Sequence, residues 1–233
     1  MTSADREGTA GIVLRAEGVR KVYRSGGQDL EVLRGINIEM KEGETVAVTG
    51  ASGVGKSTLL HILGALDRPT EGQLRIRDVD VLALDDDERA AFRNRHVGFV
   101  FQFHNLLPEF TALENVMMPA LIARHADGME TRARELLTLV GLDHRLEHRP
   151  SELSGGECQR VAVARALIMK PELVLADEPS GNLDHESSGR LHDLLRQLAR
   201  VENQAFLVMT HDRDLAASLD RTGHIDAGCL DLQ

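Results

Sequence analysis

Runs of aliphatic and β-branched residues predict strands near both ends of the chain. The runs cover residues 13–19, 31–40, 45–49, 173–176 and 204–210. A Ser25-Gly26-Gly27 turn separates the first two, which predicts an N-terminal antiparallel β unit. The run at 45–49 is short and mostly apolar, which is typical of a strand buried on both faces of a parallel sheet.

Helical periodicity replaces this pattern in two places. After the strand at 45–49, one face of a predicted helix carries Leu59, Leu60, Ile62 and Leu63. Between about 103 and 160, the sets Leu113, Val116, Met117 and Ala133, Leu136, Leu137, Val140 recur at helical spacing. The pattern therefore predicts an α/β fold with an inserted α-helical block.

Composition narrows the classes of function. The 233 residues are 42% hydrophobic, and the formal charge is −10 with only 3% aromatic residues, which argues against nucleic acid as a partner. No run approaches the roughly 20 apolar residues of a membrane span, and residues 1–11 are predicted to be a flexible leader. Two distant cysteines without a CxxC motif indicate a cytoplasmic chain. Any membrane component would have to come from partners.

A glycine-rich loop supplies the clearest chemistry. It follows a predicted strand and opens a predicted helix, and its residues are Gly50, Ala51, Ser52, Gly53, Val54, Gly55, Lys56, Ser57 and Thr58. Glycines free backbone N–H groups to point at phosphate oxygens, lysine reaches the β- and γ-phosphates, and the Ser57 hydroxyl suits Mg²⁺. The loop predicts binding of a nucleoside triphosphate.

Two carboxylates follow the apolar run at 173–176. Asp177 and Glu178 come at the carboxyl end of a predicted strand, where open parallel sheets place their ligands. Asp177 is expected to hold Mg²⁺, and Glu178 is expected to act as general base on the attacking water.

The stretch Leu153-Ser154-Gly155-Gly156-Glu157-Cys158-Gln159-Arg160 has two compatible functions. Ser154 and Glu157 form an S-x-x-E capping box at a predicted helix start. The same start exposes the N–H groups of Gly155 and Gly156 and the positive end of the helix dipole, which favour an anion.

With these motifs, residues 12–233 resemble an ATP-binding cassette (ABC) ATPase. The resemblance implies a single domain with a P-loop NTPase (RecA-like) core, at 12–102 and 161–233, and a helical subdomain at about 103–160. It implies ATP and Mg²⁺ as cofactors, and a homodimer in which Ser154, Gly155 and Gly156 face the partner's γ-phosphate. It also implies a D-loop role for Asp184, adenine stacking for Tyr23, a Mg²⁺ or water contact for Gln102 and γ-phosphate sensing for His211.

The subfamily is indicated by residues 102–116 and 141–154, which are similar to the ATPase of the Lol lipoprotein-releasing type. That similarity implies ATP-driven release of lipoproteins from the inner membrane, a peripheral position on its cytoplasmic face, and a pair of integral membrane subunits that alone contact cargo. Macrolide-exporter and cell-division types remain alternatives. Soluble ABC ATPases are disfavoured because the chain has one cassette and no coiled-coil insertion, and a small-molecule kinase would give the signature no purpose.

Three positions depart from the common ABC pattern: Val54, Cys158 and Ser180, the last standing where threonine is usual. None of them removes a phosphate ligand, but Cys158 raises the hypothesis of a thiol-sensitive ATPase. Two further questions stay open. Phe103, Leu106, Leu107 and Phe110 are either a socket for a partner helix or core residues. His144 and His148 lack a third metal ligand, and residues 85–88 are interpreted as an acidic first helical turn.

Overall fold

The strands alternate with helices after an all-β beginning. The computed structural model describes residues 11–125 and 127–232, the side chains of Ser25 and Glu202 excepted. In that part of the chain the strands are β1 (Ile12–Ser25), β2 (Gln28–Lys41), β3 (Thr45–Thr49), β4 (Glu71–Ile76), β5 (Val79–Asp80), β6 (Val97–Phe101), β7 (Leu173–Asp177), β8 (Ala205–Met209), β9 (Arg221–Asp226) and β10 (Cys229–Leu232). The predicted leader lies outside these residues apart from Gly11.

The helices occupy the middle of the chain and the connections between strands. They are α1 (Lys56–Leu63), α2 (Asp86–His96), α3 (Ala112–Ile122), α4 (Met129–Leu139), α5 (Gly155–Leu167), α6 (His185–Glu202) and α7 (Arg213–Ala217). Short 3₁₀ turns at Asp143–Arg145 and Pro150–Glu152 join α4 to α5. In the described residues no helix is both long and apolar enough to cross a bilayer.

Two sheets organise these elements. The antiparallel sheet has the order β2-β1-β4-β5. The larger sheet has the order β10-β9-β3-β8-β7-β6, in which β9, β3, β8, β7 and β6 run parallel and β10 pairs antiparallel with β9. The parallel strand predicted at 45–49 is confirmed. The extent of β1, which continues to Ser25, and the short strands β4, β5, β9 and β10 were not predicted.

The parallel sheet separates two apolar clusters. Val174 and Ala176 of β7 pack with helices α3 to α6, whereas Leu173 and Leu175 pack with α1 and the antiparallel sheet. This division follows from the strand period of two, which sends successive side chains to opposite faces. All four side chains are fully buried. Burying a leucine contributes about 1.5–3 kcal/mol relative to exposure, so β7 stabilises both layers.

The predicted helical faces are buried as expected. Leu59, Leu60, Ile62 and Leu63 of α1 are inaccessible, and so are Val116, Ala133, Leu136 and Leu137 of α3 and α4. The α/β class with an N-terminal antiparallel sheet and inserted helices is confirmed. Helix α5 runs through residue 160, so the predicted partition there does not coincide with a break in secondary structure.

Candidate functional site

The site lies at the carboxyl ends of neighbouring parallel strands. Phe101 of β6 pairs with Asp177 of β7, Asp177 pairs with Met209 of β8, and Val48 of β3 pairs with Met209. Residues that directly follow these positions are therefore brought to one edge of the sheet. They are Gln102, Glu178, Thr210 with His211, and the loop that begins at Gly50.

The glycine-rich loop leads into α1 through a left-handed residue. Gly55 is the N-cap of α1, with φ at 110°, and it gives the helix no side-chain cap. A Cβ at this position would lie 3.0 Å from Leu33 Cδ2 and 3.1 Å from Val32 Cγ1. Only glycine fits without strain, and the first N–H groups of α1 remain available to an anion.

Lys56 connects the loop to the carboxylate edge. Its side chain is largely buried, and Nζ donates to the carbonyls of Gly50 at 2.8 Å and Ala51 at 3.2 Å. The same Nζ lies 3.8 Å from Glu178 Oε1. The ammonium is thus held over the loop, where a phosphate oxygen would be a strong acceptor.

Glu178 is held in place by His211. Glu178 Oε2 accepts from the backbone N–H of His211 at 3.2 Å and lies 2.9 Å from His211 Nδ1. Its backbone has φ at 46°, in the left-handed region, and its N–H donates to the Met209 carbonyl at 2.8 Å. Strained backbone of this kind is retained where surrounding contacts determine it, and such positions are concentrated at active sites.

Gln102 is paired with Asn182, which is not among the site residues predicted from the sequence. Gln102 Nε2 donates to Asn182 Oδ1 at 3.2 Å, and Asn182 Nδ2 donates back to the Gln102 carbonyl at 3.1 Å. A Cβ on Gly181 would lie 2.9 Å from Gln102 Nε2, so this glycine permits the close approach. Asn182 lies two residues before Asp184, the predicted D-loop residue, but its partner is 80 positions away in the chain, so the sequence does not indicate the pair.

The oxygen donors at this edge suit a hard cation. Ser57 is exposed in the first turn of α1, and Asp177 and Gln102 are partly exposed at the ends of neighbouring strands. Hydroxyl, carboxylate and amide oxygens are the ligands that Mg²⁺ accepts, usually alongside water. The described residues contain no cluster of three or more His, Cys, Asp or Glu side chains that could hold a metal. A Mg²⁺ site with one carboxylate would not form such a cluster, so the donor set fits.

Tyr23 belongs to the other sheet and is anchored at its hydroxyl. The ring is 41% exposed, and Tyr23 Oη donates to Asp67 Oδ2 at 3.2 Å. Lys21 Nζ lies 4.9 Å over the ring centroid and 2.7 Å from Asp67 Oδ2. One ring face is therefore covered by a cation, which leaves the opposite face for stacking. Burial opposes the shift, but bonds from Lys21 and the Arg68 N–H hold the pKa of Asp67 below its usual value.

The predicted capping box is present at the start of α5. Glu157 N–H donates to Ser154 Oγ at 3.3 Å, and Glu157 Oε2 accepts from Ser154 N–H at 2.8 Å. The Ser154 N–H, and the Ser154 hydroxyl that also donates to Oε2 at 2.8 Å, lower the pKa of the Glu157 carboxyl group, and Arg145 Nε at 3.1 Å lowers it further. The carboxylate thus stays charged, and the cap consumes one N–H of the first turn rather than those of Gly155 and Gly156.

The first turn of α5 lies against the first turn of α6. A Cβ on Gly156 would lie 3.5 Å from Ser187 Oγ, and one on Gly155 would lie 4.0 Å from Leu183 Cδ2. Asp184 caps α6 by accepting from the Ser187 N–H at 2.9 Å. The signature, residues 153–160, and the predicted D-loop residue Asp184 therefore lie next to each other on one surface.

Comparison with known proteins identifies the family. The model of the ABC transporter family matches residues 33–181, more than half of the chain. The chain belongs to the ABC transporter family. It is an ABC ATPase, in keeping with the phosphate loop and carboxylate edge described above.

Relatives over nearly the whole length carry one name. The chain is 55% identical to the lipoprotein-releasing system ATP-binding protein LolD of Geobacter metallireducens, over 90% of this chain and 94% of the relative. It is 52% identical to the LolD of Cytophaga hutchinsonii, over 90% and 94%. The LolD of Xanthomonas campestris is 51% identical, over 98% and 95%.

A solved structure has the same fold. The ATP-binding cassette MJ0796, a dimer in a post-hydrolysis state bound to ADP and Pi, is 38% identical with a TM-score of 0.86, over 94% of this chain and 97% of that one. A second dimeric structure of MJ0796 gives a TM-score of 0.85.

In this ABC ATPase, the segment between β6 and α3 exposes apolar side chains. Phe103 is 70% exposed, Leu107 39% and Phe110 37%, whereas Leu106 packs on the helical cluster. Of the two interpretations left open by the sequence, the core interpretation holds for Leu106 alone.

A buried asparagine and a partly buried arginine fix this segment in place. Asn115 accepts from the Leu107 N–H at 2.8 Å and donates to the carbonyls of Leu107 and Phe110. Arg165 donates to the carbonyls of His104 and Asn105 at 2.7 Å. Asn105 and Arg165 also line a groove of about 450 Å³ together with Leu66, Phe99, Pro119 and Ile122.

Cys158 is not disposed to react. Its side chain is 3% exposed, and Sγ donates to the Pro150 carbonyl at 3.5 Å. Burial raises the pKa of the thiol, and the charge of Glu157 raises it further. A reactive cysteine needs a lowered pKa and access, so the geometry argues against the thiol-sensitivity hypothesis.

Proposed function

We propose that this chain is the ATP-hydrolysing subunit of a lipoprotein-releasing ABC complex, acting at the cytoplasmic face of the inner membrane. The observation that carries the hydrolytic function is the contact of Glu178 with both His211 and Lys56 at the edge of the parallel sheet. Identity of 55% and 52% to LolD proteins over 90% of the chain supports the lipoprotein-releasing type.

Nucleotide binding is assigned to the loop and the β1–β2 region. The N–H groups from Gly50 to Thr58, including those of Ala51, Ser52, Gly53 and Val54, surround the phosphates, and Lys56 neutralises their charge. Tyr23 stacks on adenine with the face opposite Lys21. Ser57, Asp177 and Gln102 would hold Mg²⁺, which would supply positive charge to neutralise the charge that develops on the phosphate oxygens.

Hydrolysis is assigned to the end of β7 and the loop after β8. Glu178 takes a proton from water as the water oxygen attacks the γ-phosphorus, while the bond from that phosphorus to the β–γ bridging oxygen breaks and ADP leaves. The ring nitrogen of His211 approaches a γ-phosphate oxygen. Gln102 orients the water or a metal ligand, and its bond to Asn182 links this contact to the D-loop.

A second copy of the chain completes each site. The uncapped N–H groups of Gly155 and Gly156 lie beside Asp184 on one surface, which supports their meeting the γ-phosphate bound by a partner. The dimeric structures of MJ0796 support a pair of ATPase subunits, and the shared site requires that pair to be head-to-tail.

The exposed apolar segment is assigned to the membrane partners. Phe103, Leu107 and Phe110 are exposed in the segment whose Asn105 lines the groove, and this segment would receive a short cytoplasmic helix from the Lol-type membrane subunits. Nucleotide-driven closure would then move these subunits, which alone contact the lipoprotein.

The test is purification of the tagged chain from detergent-solubilised native membranes, with identification of its partners and measurement of ATP hydrolysis. Two different membrane proteins with large periplasmic domains, together with hydrolysis, are expected. A single division-associated partner or a homodimeric exporter would instead assign a sister type. Absence of any membrane partner would overturn the transporter function.

A further inference from the structure

A buried histidine touches both loops that flank the proposed catalytic carboxylate. His192 lies on α6 and is 8% exposed, and its Nε2 is 3.0 Å from Ser180 Oγ, which is also 8% exposed. Its neighbours on the same helix, Leu191 and Leu195, are 2% exposed. A polar ring in such a position costs free energy unless it is hydrogen-bonded, so the contact with Ser180 stabilises this arrangement.

Ser180 lies within a tight turn that begins at Glu178. Gly181 N–H donates to the Glu178 carbonyl at 3.0 Å, and Leu183 N–H donates to the Ser180 carbonyl at 3.0 Å. Two residues after Ser180, Asn182 pairs with Gln102. A shift of Ser180 therefore reaches Glu178 on one side and Gln102 on the other.

The same imidazole faces the loop that carries His211. His192 Nε2 lies 4.0 Å from Asp212 Oδ2. Asp212 is itself fixed, because Oδ1 accepts from the N–H groups of Asp214 and Leu215 at 2.9 Å. Burial lowers the pKa of His192. The neutral ring forms an ordinary hydrogen bond with Ser180, in which one of the two atoms donates and the other accepts.

We propose that His192 is a positioning residue for ATP hydrolysis, which ties the 178–182 turn to the 211–212 loop so that Glu178 and His211 reach the γ-phosphate together. The proposal rests on the proposed function, because it concerns the hydrolytic step. It also gives a role to Ser180, the position where the common pattern has threonine, since either residue supplies the hydroxyl that His192 needs.

The test is a double-mutant cycle on the full-length chain. His192→Phe keeps an aromatic ring and removes the ring nitrogens. Ser180→Ala removes the hydroxyl, whereas Ser180→Thr keeps one. Loss of one such hydrogen bond corresponds to about 1 kcal/mol, so kcat is expected to fall about fivefold in each single variant with KM for ATP unchanged. The double variant should fall no further, and Ser180→Thr should retain wild-type kcat.

The control is His144→Phe, which removes an exposed histidine that contacts only Asp143 among the described ion pairs, and should leave kcat unchanged. Unchanged kcat in Ser180→Ala, or multiplied effects in the double variant, would overturn the proposal while leaving the proposed function intact. A wild-type chain that fails to hydrolyse ATP would overturn both. Should His192→Phe not fold, the pair Ser180→Ala and Ser180→Thr decides, since only a required hydroxyl separates their kcat values.

Discussion

The phosphate edge is built differently from two outward-facing segments, the signature at the start of α5 and residues 103–110. At the edge, the contacts join distant parts of one chain: Lys56 to Glu178, Glu178 to His211, and Gln102 to Asn182. In the two outward-facing segments, most polar groups are bonded within the chain. The N–H groups at the start of α5 and apolar side chains of residues 103–110 face outward. This difference is consistent with the proposal that the phosphate edge carries out hydrolysis and that the two outward-facing segments bind partner molecules.

The strongest test of this comparison removes the proposed base at the edge. Glu178→Gln keeps the shape of the side chain and an acceptor for the His211 N–H, but it removes the basic carboxylate. Since general-base catalysis contributes about 10²–10⁴-fold, kcat should fall at least about 100-fold while ATP binding persists. Single-turnover hydrolysis measures this, with Glu130→Gln as the control because Glu130 is exposed and paired with Arg134. A Glu178→Gln chain that turns over normally would move the base elsewhere.

The next test distorts the loop without touching a charged group. Gly55→Ala places a methyl group against Leu33 and Val32 on a backbone with φ at 110°. Left-handed strain of about 1–3 kcal/mol should weaken ATP binding about tenfold and lower the Tm. Gly189→Ala is the matched control, because that helical glycine has nothing within 4 Å and should gain about 0.5–1 kcal/mol of stability. Equal ATP affinity in both variants would contradict the assigned role of the loop conformation.

In the 103–110 segment, an added charge should weaken binding of the membrane subunits without changing ATP binding. Leu107→Asp puts a carboxylate on the proposed docking segment, and the yield of co-purified membrane subunits should fall about tenfold. ATP affinity should not change, because the segment does not contact the glycine-rich loop in the proposed function. Val201→Asp, at a valine that is 62% exposed on α6, is the control for a charge on an exposed apolar position. Co-purification at wild-type yield would remove the docking assignment.

Two equivalent caps make it possible to separate folding from function. Thr111 and Glu114 form the same box at α3 as Ser154 and Glu157 form at α5, with closely similar distances. Each alanine replacement, Thr111→Ala or Ser154→Ala, should cost about 1 kcal/mol of stability. Only Ser154→Ala should lower the ATPase rate, because only α5 is proposed to face a partner's γ-phosphate. Equal rates in the two variants would reduce the signature serine to a cap.

The smallest effect is expected where the ring of Tyr23 is anchored. Asp67→Asn weakens the bonds to Tyr23 and Lys21, which are partly exposed, so the affinity for a fluorescent ATP analogue should fall only about two- to fivefold. Because folding lowers the pKa of Asp67, its contribution to stability is complete above the usual pKa of an aspartate and is lost as pH falls through the lowered value. A Tm difference between wild type and Asp67→Asn should therefore persist at neutral pH and vanish in strong acid. Unchanged affinity would leave the position of the ring independent of this anchor.

Sequence reasoning located the parts of the site whose pattern is local. The loop from Gly50, the carboxylates after 173–176 and the cap at Ser154 are each defined by consecutive residues that serve one backbone geometry. The parallel strand at 45–49 was predictable because burial on both faces leaves it mostly apolar.

The remaining features depend on which strands become neighbours. Nothing near Gln102 in the chain indicates Asn182, because the pairing of β6 with β7 brings these two residues together. Nothing near Ser180 indicates His192 either, because their contact depends on how α6 packs against the turn after β7. The short strands β4, β9 and β10 were missed because they mix charged and apolar residues over few positions, so tertiary pairing outweighs their weak strand propensity.

The alternation of side chains along β7 has a mechanical consequence. One apolar layer packs on Val174 and Ala176, and the other packs on Leu173 and Leu175 on the opposite face of the strand. Neither layer can move away from the sheet without exposing valine or leucine to water. Displacement of the helical layer is thereby resisted by the strand that ends in Asp177 and leads into Glu178. The backbone of β7 therefore connects movements of the helical layer to the carboxylates of Asp177 and Glu178.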